Sequence, residues 1–470
     1  MLSQPLVSPV IKELAIRATT ASLAHALSER PGLVVLASDR RGALSPADAR
    51  FSFVACEPKA VSHDLVPDAG AGRGGRDPVA RGWGGFPAAP RWVGVLPYEA
   101  MRGLERPTWT TNPLRRDARP LPTLSRPVWL KYAAVARVDH ESGQVVLEAD
   151  DLGEARHLES ALRSGPQAQR DFALQPLDES EAPDAHVARV RKVLDLIARG
   201  DVYQVNLARR ISFGFRGDAV SLFTSLAKRA PSPYSFYADF GGVRICASSP
   251  ELALEVRRDV RGAASAWSPR GGDRLRTAPI KGTRPRGTDA TTDAALAREL
   301  SADPKERAEL TMALDLHRND LGKVAEIGSV RVLGEPRLLA GRTVWSRVAE
   351  VVARRAAGVS DADVVRAMLP CGSVTGAPKV RAMEVIASLE PFRRGVYTGA
   401  FGYVGRDGAL VLAMAIRTLE IEQHGATYFT GGGIVADSDP QRELEETRWK
   451  ASQLVGLTAH PTQGLGAVDV

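Results

Sequence analysis

The chain has 470 residues, 44% of them hydrophobic and 25% charged, and this ordinary composition excludes a disordered or fibrous protein. No apolar run approaches the roughly 18 residues of a membrane helix, and Met1–Leu14 lacks the apolar core of a signal peptide. The net charge of +7 suits a small anionic substrate as well as it suits a nucleic acid. Because the basic residues are scattered, we expect neither a nucleic-acid nor a membrane partner, and nucleic-acid binding is kept only as an alternative.

The polar segment between Ser164 and Asp184 predicts a boundary between an N-terminal region, residues 1–175, and a C-terminal region, residues 185–457. Residues 461–470 have the composition of a frayed tail. Two segments rich in glycine and arginine, Asp68–Gly85 and Arg257–Arg276, predict irregular loops.

The C-terminal region carries the clearer secondary-structure patterns. Apolar residues spaced three or four apart predict a helix over His186–Arg199, and alternation predicts a strand from Val205 to Phe213 whose other face carries Gln204 and Asn206. Further strands are predicted around an Asp-Gly turn: Val396–Tyr403, Ala409–Leu419 and Ala426–Thr430. This antiparallel meander favours an α+β fold with large antiparallel β-sheets covered by helices.

Two helices are predicted to begin with the same signal, an aspartate followed by proline, at Asp303 and at Asp439. Each helix then places acidic residues on one face: Glu306 and Glu309 on the first, Glu443 and Glu446, with Lys450, on the second. Two such edges could clamp one hard cation such as Mg²⁺, which prefers oxygen ligands. The alternative is that these are solvated acids favoured by the helix dipole.

Three further stretches carry candidate chemistry. Lys281 lies in Pro279–Gly287, where Gly282 and Thr283 would let an anion approach; partial burial would make its amine nucleophilic, although a solvated loop lysine is the alternative. Arg417 ends a strip of small residues on a predicted strand and could bind a planar carboxylate, or form an edge salt bridge. Gly431–Gly433, between the last strand and the second acidic helix, would expose N–H groups to an anion, as would the stretch Gly372–Lys379 that opens a helix.

In chain order, these stretches resemble the chorismate-utilising enzymes. The residues that carry the resemblance are GDVYQVNLARR, SSPEL, PIKGTRPRG, KERAELTMALDLHRNDLGKV, GSVTGAPKVRAMEVI, YTGAFGYVG, AIRT and GGGIVADS. Within that family the chain resembles component I of aminodeoxychorismate synthase more closely than component I of anthranilate synthase. The match is strong over Ala188–Leu457 and weaker before it.

The resemblance implies the fold of anthranilate synthase component I and a Mg²⁺-dependent reaction on chorismate, with ammonia from a separate glutamine amidotransferase. None of the three cysteines, Cys56, Cys246 and Cys371, has the context of an amidotransferase nucleophile, and their spacing predicts no disulfide or zinc site but a reduced, cytoplasmic protein. The implied metal ligands are Glu309 and Glu446, with Glu306 and Glu443 acting through water. The implied substrate-binding residues are Gly282, Thr283, Tyr397, Arg417, Gly431, Gly432, Gly433 and Lys450.

Two residues are implied to act in catalysis. Glu251 matches the general acid that protonates the departing C4 hydroxyl, a step that chemistry requires because hydroxide leaves poorly. Lys281 matches the lysine that distinguishes aminodeoxychorismate synthases from anthranilate synthases. Its amine would attack C2, and ammonia would then add at C4 and expel it, giving 4-amino-4-deoxychorismate, the precursor of p-aminobenzoate and folate. Leu310, where anthranilate synthases tend to carry histidine, and Gln204, where isochorismate-forming relatives carry lysine, agree with this subtype.

Two alternatives remain from the sequence. One is an anthranilate synthase component I, and the other is a non-catalytic regulator that binds chorismate or tryptophan. A tryptophan site, as in relatives, would involve Ser38 together with Pro233, Tyr234 and Ser235, although Tyr234 could equally be a core residue. The chain also carries an insertion, SAWSPRGGDR, between Glu251 and Lys281.

Overall fold

The structure is a computed structural model, and it describes residues 10–14, 18–68, 89–102, 119–166, 168–179, 182–258, 272–423, 425–454 and 457. Most of the predicted loop Asp68–Gly85, most of the insertion before Lys281 and the tail 461–470 lie outside these residues. Among the described residues, no helix is long and apolar enough to cross a membrane.

The described residues form eleven α-helices. Aspartates cap both acidic helices as predicted: Asp303 accepts from the N–H groups of Lys305 and Glu306, and Asp439 does the same for its helix. The helices are α1 (Thr20–Ala26), α2 (Tyr98–Arg102), α3 (Leu152–Ser164), α4 (Pro183–Ala198), α5 (Ala219–Arg229), α6 (Ala290–Ala302), α7 (Pro304–Gly322), α8 (Asp361–Met368), α9 (Gly372–Thr375), α10 (Lys379–Leu389) and α11 (Pro440–Ala451).

The strands of the described residues are β1 (Val10–Leu14), β2 (Val34–Ala37), β3 (Phe51–Ala55), β4 (Ala60–Ser62), β5 (Pro90–Leu96), β6 (Val128–Lys131), β7 (Ala134–Asp139), β8 (Val145–Ala149), β9 (Phe172–Glu179), β10 (Gln204–Gly217), β11 (Tyr234–Asp239), β12 (Val243–Ser249), β13 (Leu252–Arg257), β14 (Arg274–Ala278), β15 (Ile280–Pro285), β16 (Arg331–Val332), β17 (Arg337–Ala340), β18 (Val344–Val348), β19 (Val351–Arg354), β20 (Gly376–Ala377), β21 (Ala400–Gly405), β22 (Leu410–Met414), β23 (Thr418–Glu422) and β24 (Gly425–Ile434).

These strands build two large antiparallel sheets and a small one, which confirms the predicted α+β class. The twelve-stranded sheet has the order β1-β8-β7-β3-β2-β11-β12-β23-β24-β10-β20, with β9 also pairing β10. The nine-stranded sheet has the order β16-β19-β14-β13-β22-β21-β5-β6-β4, and the small sheet has the order β15-β18-β17. Strands from both predicted regions lie in both large sheets, because β2 pairs β11 and β5 pairs β21.

The two large sheets pack face to face around an apolar layer, with helices on their outer faces. Phe236 of one sheet stacks on Phe401 of the other with ring centroids 4.6 Å apart. On the outer face of the nine-stranded sheet, Leu310 and Leu314 of α7 belong to the same apolar cluster as Leu412 of β22. The sheets and helices therefore place α7 beside the strands that carry the candidate site.

The predicted meander is wrong in one respect. The hairpin around Gly405–Gly408 forms, and β21 pairs β22, but the segment predicted as one strand, Ala409–Leu419, is two strands in different sheets. The chain crosses between the sheets at Ala415–Arg417, where Arg417 has φ of +51°. The third strand, β24, therefore pairs β23 and β10 and not β22.

Candidate active site

Lys281 lies on β15 beside a β-bulge that Gly282 makes. The pairing of β15 with β18 shifts register between Lys281 and Thr283, and Gly282 has φ of +77°, a conformation that glycine adopts without strain. A Cβ at Gly282 would lie 2.8 Å from Leu300 Cδ1 and 3.0 Å from Glu306 Oε2. The bulge therefore redirects the strand at the lysine, and a larger residue at Gly282 would be strained at this φ and would have to displace the side-chain ends of Leu300 and Glu306.

The amine of Lys281 points into the interior of the site. Its Nζ donates to the carbonyl oxygen of Ser373 at 3.2 Å, and the Ser373 hydroxyl donates to Glu251 Oε1 at 3.0 Å. A Cβ built on Gly433 would lie 3.6 Å from Lys281 Nζ, so the amine also faces the glycine run of β24. A single residue, Ser373, thus links the two predicted catalytic side chains.

Glu251 is buried, and its pKa is raised to about 7. Burial is the main cause, and it is opposed by the positive charge of Lys281 and by hydrogen bonds from Ser373 and from the backbone of Ile280. About half of this carboxyl group is therefore protonated near pH 7. A carboxylic acid that keeps its proton near pH 7 can act as a general acid.

The two acidic helices, α7 and α11, turn their carboxylates toward each other. Lys305 Nζ lies 3.8 Å from Glu309 Oε1 and 3.9 Å from Glu443 Oε1, so one side chain reaches both helices. The other contacts of the carboxylates are Arg284 with Glu306 at 3.3 Å, Ser438 with Glu443 at 2.6 Å and Lys450 with Glu446 at 2.7 Å. The structure therefore brings all four predicted acids into one cluster.

The four carboxylates differ in the direction in which their pKa is shifted. Burial raises the pKa of Glu306, Glu309 and Glu443, and neighbouring carboxylates raise it further. Lys450 lowers the pKa of Glu446, against the effect of burial. Carboxylates that raise one another's pKa are stabilised in their ionised form when a cation binds between them.

The cluster suits a cation that keeps its water. Among the described residues, no three or more carboxylate, imidazole or thiolate side chains converge into a tight metal cage. Mg²⁺ in proteins usually takes one or two carboxylates and keeps several waters. A Cβ on Gly432 would lie 2.8 Å from Glu443 Oε2 and 3.9 Å from Glu446 Oε1, so this glycine leaves room for the carboxylates. The donor set thus fits Mg²⁺ held largely through water.

The glycine run Gly431–Gly433, which the sequence placed after the last predicted strand, is part of that strand and lies near the end of β24. It pairs with Asn206–Ala208 of β10, whereas β23 pairs with β24 only as far as Tyr428. The Gly431 carbonyl accepts from Lys450 Nζ at 2.8 Å. Because glycine has no side chain, the backbone of this run comes close to Lys281, Lys450 and the acidic cluster. Three consecutive glycines do not by themselves predict a strand.

Tyr397 and Arg417, both predicted to hold substrate, lie next to unusual backbone. Tyr397 is not in a strand but in the turn before β21; its ring stacks on Phe429 at 5.4 Å, and its hydroxyl lies 3.0 Å from the position of a Cβ on Gly431. Thr398, with φ of +61°, follows it, and Arg417 has φ of +51°. Residues other than glycine seldom adopt such angles, and these two cluster at the site.

Sequence reasoning missed the part that Ser373 plays. The stretch Gly372–Lys379 was expected to open a helix and bind an anion, but it forms the four-residue helix α9 and then the short strand β20, and α10 begins only at Lys379. Leu316 of α7 packs where a Cβ on Gly372 would be, at 2.8 Å. The segment therefore serves to place Ser373 between Lys281 and Glu251.

Gln204 and Asn206, which share the site-facing side of β10, are both buried. Among the described residues, Gln204 Nε2 and Asn206 Oδ1 have no hydrogen-bond partner. Gln204 Nε2 lies 2.5 Å from the position of a Cβ on Gly433, next to Lys281. Buried amides are normally paired, so these atoms are available to a bound ligand.

The residues of the candidate tryptophan site lie on adjacent strands. Ser235 pairs with Ala37, the neighbour of Ser38, and the Ser38 hydroxyl donates to the Phe51 carbonyl at 2.6 Å. Tyr234 is buried in the apolar layer between the sheets. Pro233 and Arg417 line one small cavity, so this region adjoins the active site. Binding of tryptophan there stays a prediction.

A cavity larger than the one lined by Pro233 and Arg417 lies elsewhere. It has a volume of about 780 Å³ and runs along the outer face of α7, past Met312 and Leu316 to Lys379. Neither Lys281 nor Glu251 lines it. Size alone therefore does not locate the chemistry, which the convergence of charged groups locates instead.

Comparison with known proteins decides the family. The family model described as chorismate binding enzyme matches residues 73–456, more than half of the chain. The chain belongs to the chorismate binding enzyme family. It is 36% identical over 408 residues to anthranilate synthase component 1 of Streptomyces coelicolor, covering 81% of this chain and 76% of that protein.

The chain is also similar to two other proteins. The aminodeoxychorismate synthase of Streptomyces pristinaespiralis is 39% identical over 306 residues, covering 63% of this chain and 41% of that protein. Anthranilate synthase component I from Streptococcus pneumoniae has a solved structure that is similar with a TM-score of 0.68 at 28% identity, covering 86% of this chain and 92% of that one. The chain spans between about half and three quarters of the anthranilate synthases it matches. The fold of anthranilate synthase component I is thereby confirmed.

Proposed function

We propose that this chorismate binding enzyme is the synthase subunit that aminates chorismate to 4-amino-4-deoxychorismate. The observation that carries the proposal is the position of Lys281: its amine faces the glycine run and lies one residue, Ser373, away from the acid Glu251. A nucleophile and a general acid that flank one space can act on two carbons of the same ring.

The reaction divides into two substitutions. In the first, the neutral Lys281 amine attacks C2 of chorismate, the ring double bond shifts, and the C4 hydroxyl leaves as water with a proton from Glu251. In the second, ammonia attacks C4, the double bond shifts back, and the C2–N bond to Lys281 breaks, which returns the neutral amine. The Glu251 carboxylate then takes one proton from the new C4 ammonium group and is restored as the acid. The sum is chorismate and ammonia to 4-amino-4-deoxychorismate and water, so atoms and charges balance.

Other residues of the chain would hold the substrate. We propose that Arg417 and Lys450, with the backbone of Gly431–Gly433, bind the carboxylates of chorismate. Gly282, Thr283 and Tyr397 would surround its ring. Arg417 sits near enough to Glu251 for its charge to lower the pKa of that acid, after the larger effect of burial. The buried amides of Gln204 and Asn206 would pair with substrate oxygens.

Magnesium and a second protein complete the proposal. Glu309 and Glu446, with Glu306 and Glu443 through water, would hold Mg²⁺, which when bound neutralises the ring carboxylate of the substrate. A separate glutamine amidotransferase would supply the ammonia, and the product would serve p-aminobenzoate formation.

Anthranilate synthase component I is the second candidate, and the comparisons favour it. Among the relatives compared above, the two that cover most of this chain, 86% and 81% of it, both carry that name. Lys281 argues the other way, because an amine-bearing nucleophile at this place gives a route to the 4-amino product. The two candidates differ in their products, since only anthranilate has lost the enolpyruvyl group.

The test is incubation of the protein with chorismate, Mg²⁺ and ammonium, with products identified by mass and by fluorescence. We expect the mass of 4-amino-4-deoxychorismate and no fluorescent anthranilate. Lys281→Ala should abolish turnover while chorismate still binds, whereas Lys228→Ala, at an exposed lysine of α5, should leave turnover unchanged. Anthranilate as the direct product, or full turnover by Lys281→Ala, would overturn the assignment.

A further inference from the structure

Lys305 joins the two acidic helices across the opening between them. Its Nζ lies 3.8 Å from Glu309 Oε1 on α7 and 3.9 Å from Glu443 Oε1 on α11. The lysine side chain is 44% exposed, whereas those of Glu309 and Glu443 are 16% and 5% exposed. The ammonium group therefore covers the carboxylates from the solvent side.

The position of Lys305 in its helix is electrostatically unfavourable. Asp303 caps α7, Pro304 follows, and the Lys305 N–H donates to Asp303 Oδ1 at 2.9 Å, so the lysine lies in the first turn. The amino end of a helix favours anions and disfavours cations. The helix alone does not account for a lysine here, but the two facing carboxylates do.

Each carboxylate of the cluster forms an ion pair with one neighbouring basic side chain. Arg284 pairs with Glu306, and Lys450 pairs with Glu446. Lys305 is shared by the remaining two, Glu309 and Glu443, one from each helix. A divalent cation placed between the helices would need the same two carboxylates, directly or through its waters.

We propose that Lys305 is an internal counter-cation that competes with the divalent cation for Glu309 and Glu443. This inference rests on the proposed Mg²⁺ dependence. Without the metal, Lys305 neutralises the acids and holds α7 and α11 together; when the metal binds, the ammonium swings out to solvent. Its half-exposed side chain has room to do so. Lys305 thereby weakens the affinity for the cation and keeps its binding reversible.

The test is calorimetric titration of the full-length protein with Mg²⁺, without substrate. Lys305→Met keeps the length of the side chain and removes its charge, so the Kd for Mg²⁺ should fall by about three- to tenfold, the effect of one or two half-exposed ion pairs. Lys305→Arg keeps the charge, and its Kd should stay within about twofold of the wild-type value. Mg²⁺ should also raise the melting temperature of Lys305→Met more than that of the wild type.

Lys323→Met is the matched control, because Lys323 is also a half-exposed lysine of the α7 end, paired with Asp320 at 2.9 Å. Its Kd for Mg²⁺ should not change. An unchanged or higher Kd in Lys305→Met, with Mg²⁺ binding intact in the wild type, overturns the competition alone. Absence of Mg²⁺ binding in both proteins overturns the competition together with the metal dependence, while product formation with ammonium would still report on Lys281.

Discussion

At the scale of single residues, Glu251 shows how burial and a neighbouring charge together determine the pKa of a carboxylic acid. Burial raises its pKa to about 7, whereas the Lys281 charge and the Ser373 hydroxyl favour its ionised form. With the concentration of free ammonia held constant, the rate should therefore fall as pH rises through about 7, because the general acid must be protonated. Steady-state kcat measured between pH 5.5 and 9 checks this. Glu251→Gln should lose at least about a hundredfold in kcat with little change in chorismate affinity.

Ser373 provides an internal check on that assignment. Its hydroxyl donates to Glu251 Oε1, which stabilises the carboxylate. Ser373→Ala removes this bond, so the pKa of Glu251 should rise and the falling limb of the rate profile should move to higher pH. A limb that stays in place, or moves down, would assign the ionisation to another group.

A second buried glutamate has no place in the proposed chemistry and affects stability instead. Burial raises the pKa of Glu420 to about 8, against the Val396 and Tyr397 N–H groups that favour its ionised form. The unfolded chain ionises near the ordinary value of 4.5, so between these pH values the folded state binds more protons. Stability from this group is fully present below about pH 4.5 and is lost as pH rises through about 8.

Glu420→Gln should remove this dependence, because the amide keeps the shape and cannot ionise. Urea unfolding at pH 5.5 and 8.5 measures it: the variant should exceed the wild type in free energy of unfolding at pH 8.5, by an amount on the order of a few kcal/mol, and differ less at pH 5.5. Glu422→Gln, at the exposed end of the same strand, should reduce the pH dependence only slightly, because the charge of Glu422 raises the pKa of Glu420 less than burial does. Equal pH dependence in Glu420→Gln and wild type would contradict the interpretation.

At the scale of elements, the glycine run of β24 is a surface from which side chains are excluded. A Cβ on Gly432 would lie 2.8 Å from Glu443 Oε2, the mobile end of a side chain, so Gly432→Ala should push the carboxylate aside without unfolding the strand. We expect at least a tenfold loss in kcat/KM, roughly, with a change in unfolding free energy below about 1 kcal/mol. Enzyme kinetics and urea melts of the same preparation measure the two effects.

Gly425→Ala is the matched control at the other end of β24, where a Cβ would make only an ordinary contact, 3.6 Å from the Phe213 carbonyl. It should keep both activity and stability. If Gly432→Ala loses activity only in proportion to its stability, the carboxylates do not depend on the space that this glycine leaves.

Elements that depend on neighbours in sequence were predictable, and those that depend on distant partners were not. The caps at Asp303 and Asp439 and the alternation from Leu410 to Met414 are local, and the structure confirms them. The crossing at Arg417 was not predictable, because a positive φ in a non-glycine residue leaves no mark in an alternating pattern. The partner of β24 was likewise invisible, since β10 precedes it by some two hundred residues.

The same distinction holds for the site. Lys281, Glu251 and the four acids were named from motifs, and the structure brings them together. Ser373 was missed because its role arises from contacts with two distant strands, and Lys305 was missed because a first-turn lysine has no motif. The sequence motifs identify which side chains carry the chemistry. The hydrogen bonds and ion pairs between those side chains depend on how the folded chain packs.

At the scale of the whole molecule, the two sequence regions share both large sheets. Strand β2 supplies the neighbour of β11, and β5 supplies the neighbour of β21. Removing residues 1–181 would leave β11 and β21 as unpaired edges and would remove the N-terminal part of the apolar layer between the sheets. Exposed apolar edge strands pair with other chains.

We therefore expect residues 182–470 expressed alone to aggregate or to lack a cooperative thermal transition, because β11 and β21 lose their neighbours and the apolar layer between the sheets is opened. Residues 1–181 expressed in the same cell as a separate chain should restore a folded complex, since the contacts that matter cross the sheets and not the peptide bond. Size-exclusion chromatography and circular dichroism melts compare the fragment, the pair and the intact chain. A fragment that unfolds cooperatively by itself and still binds chorismate would mean that the N-terminal strands cover a core that is already complete.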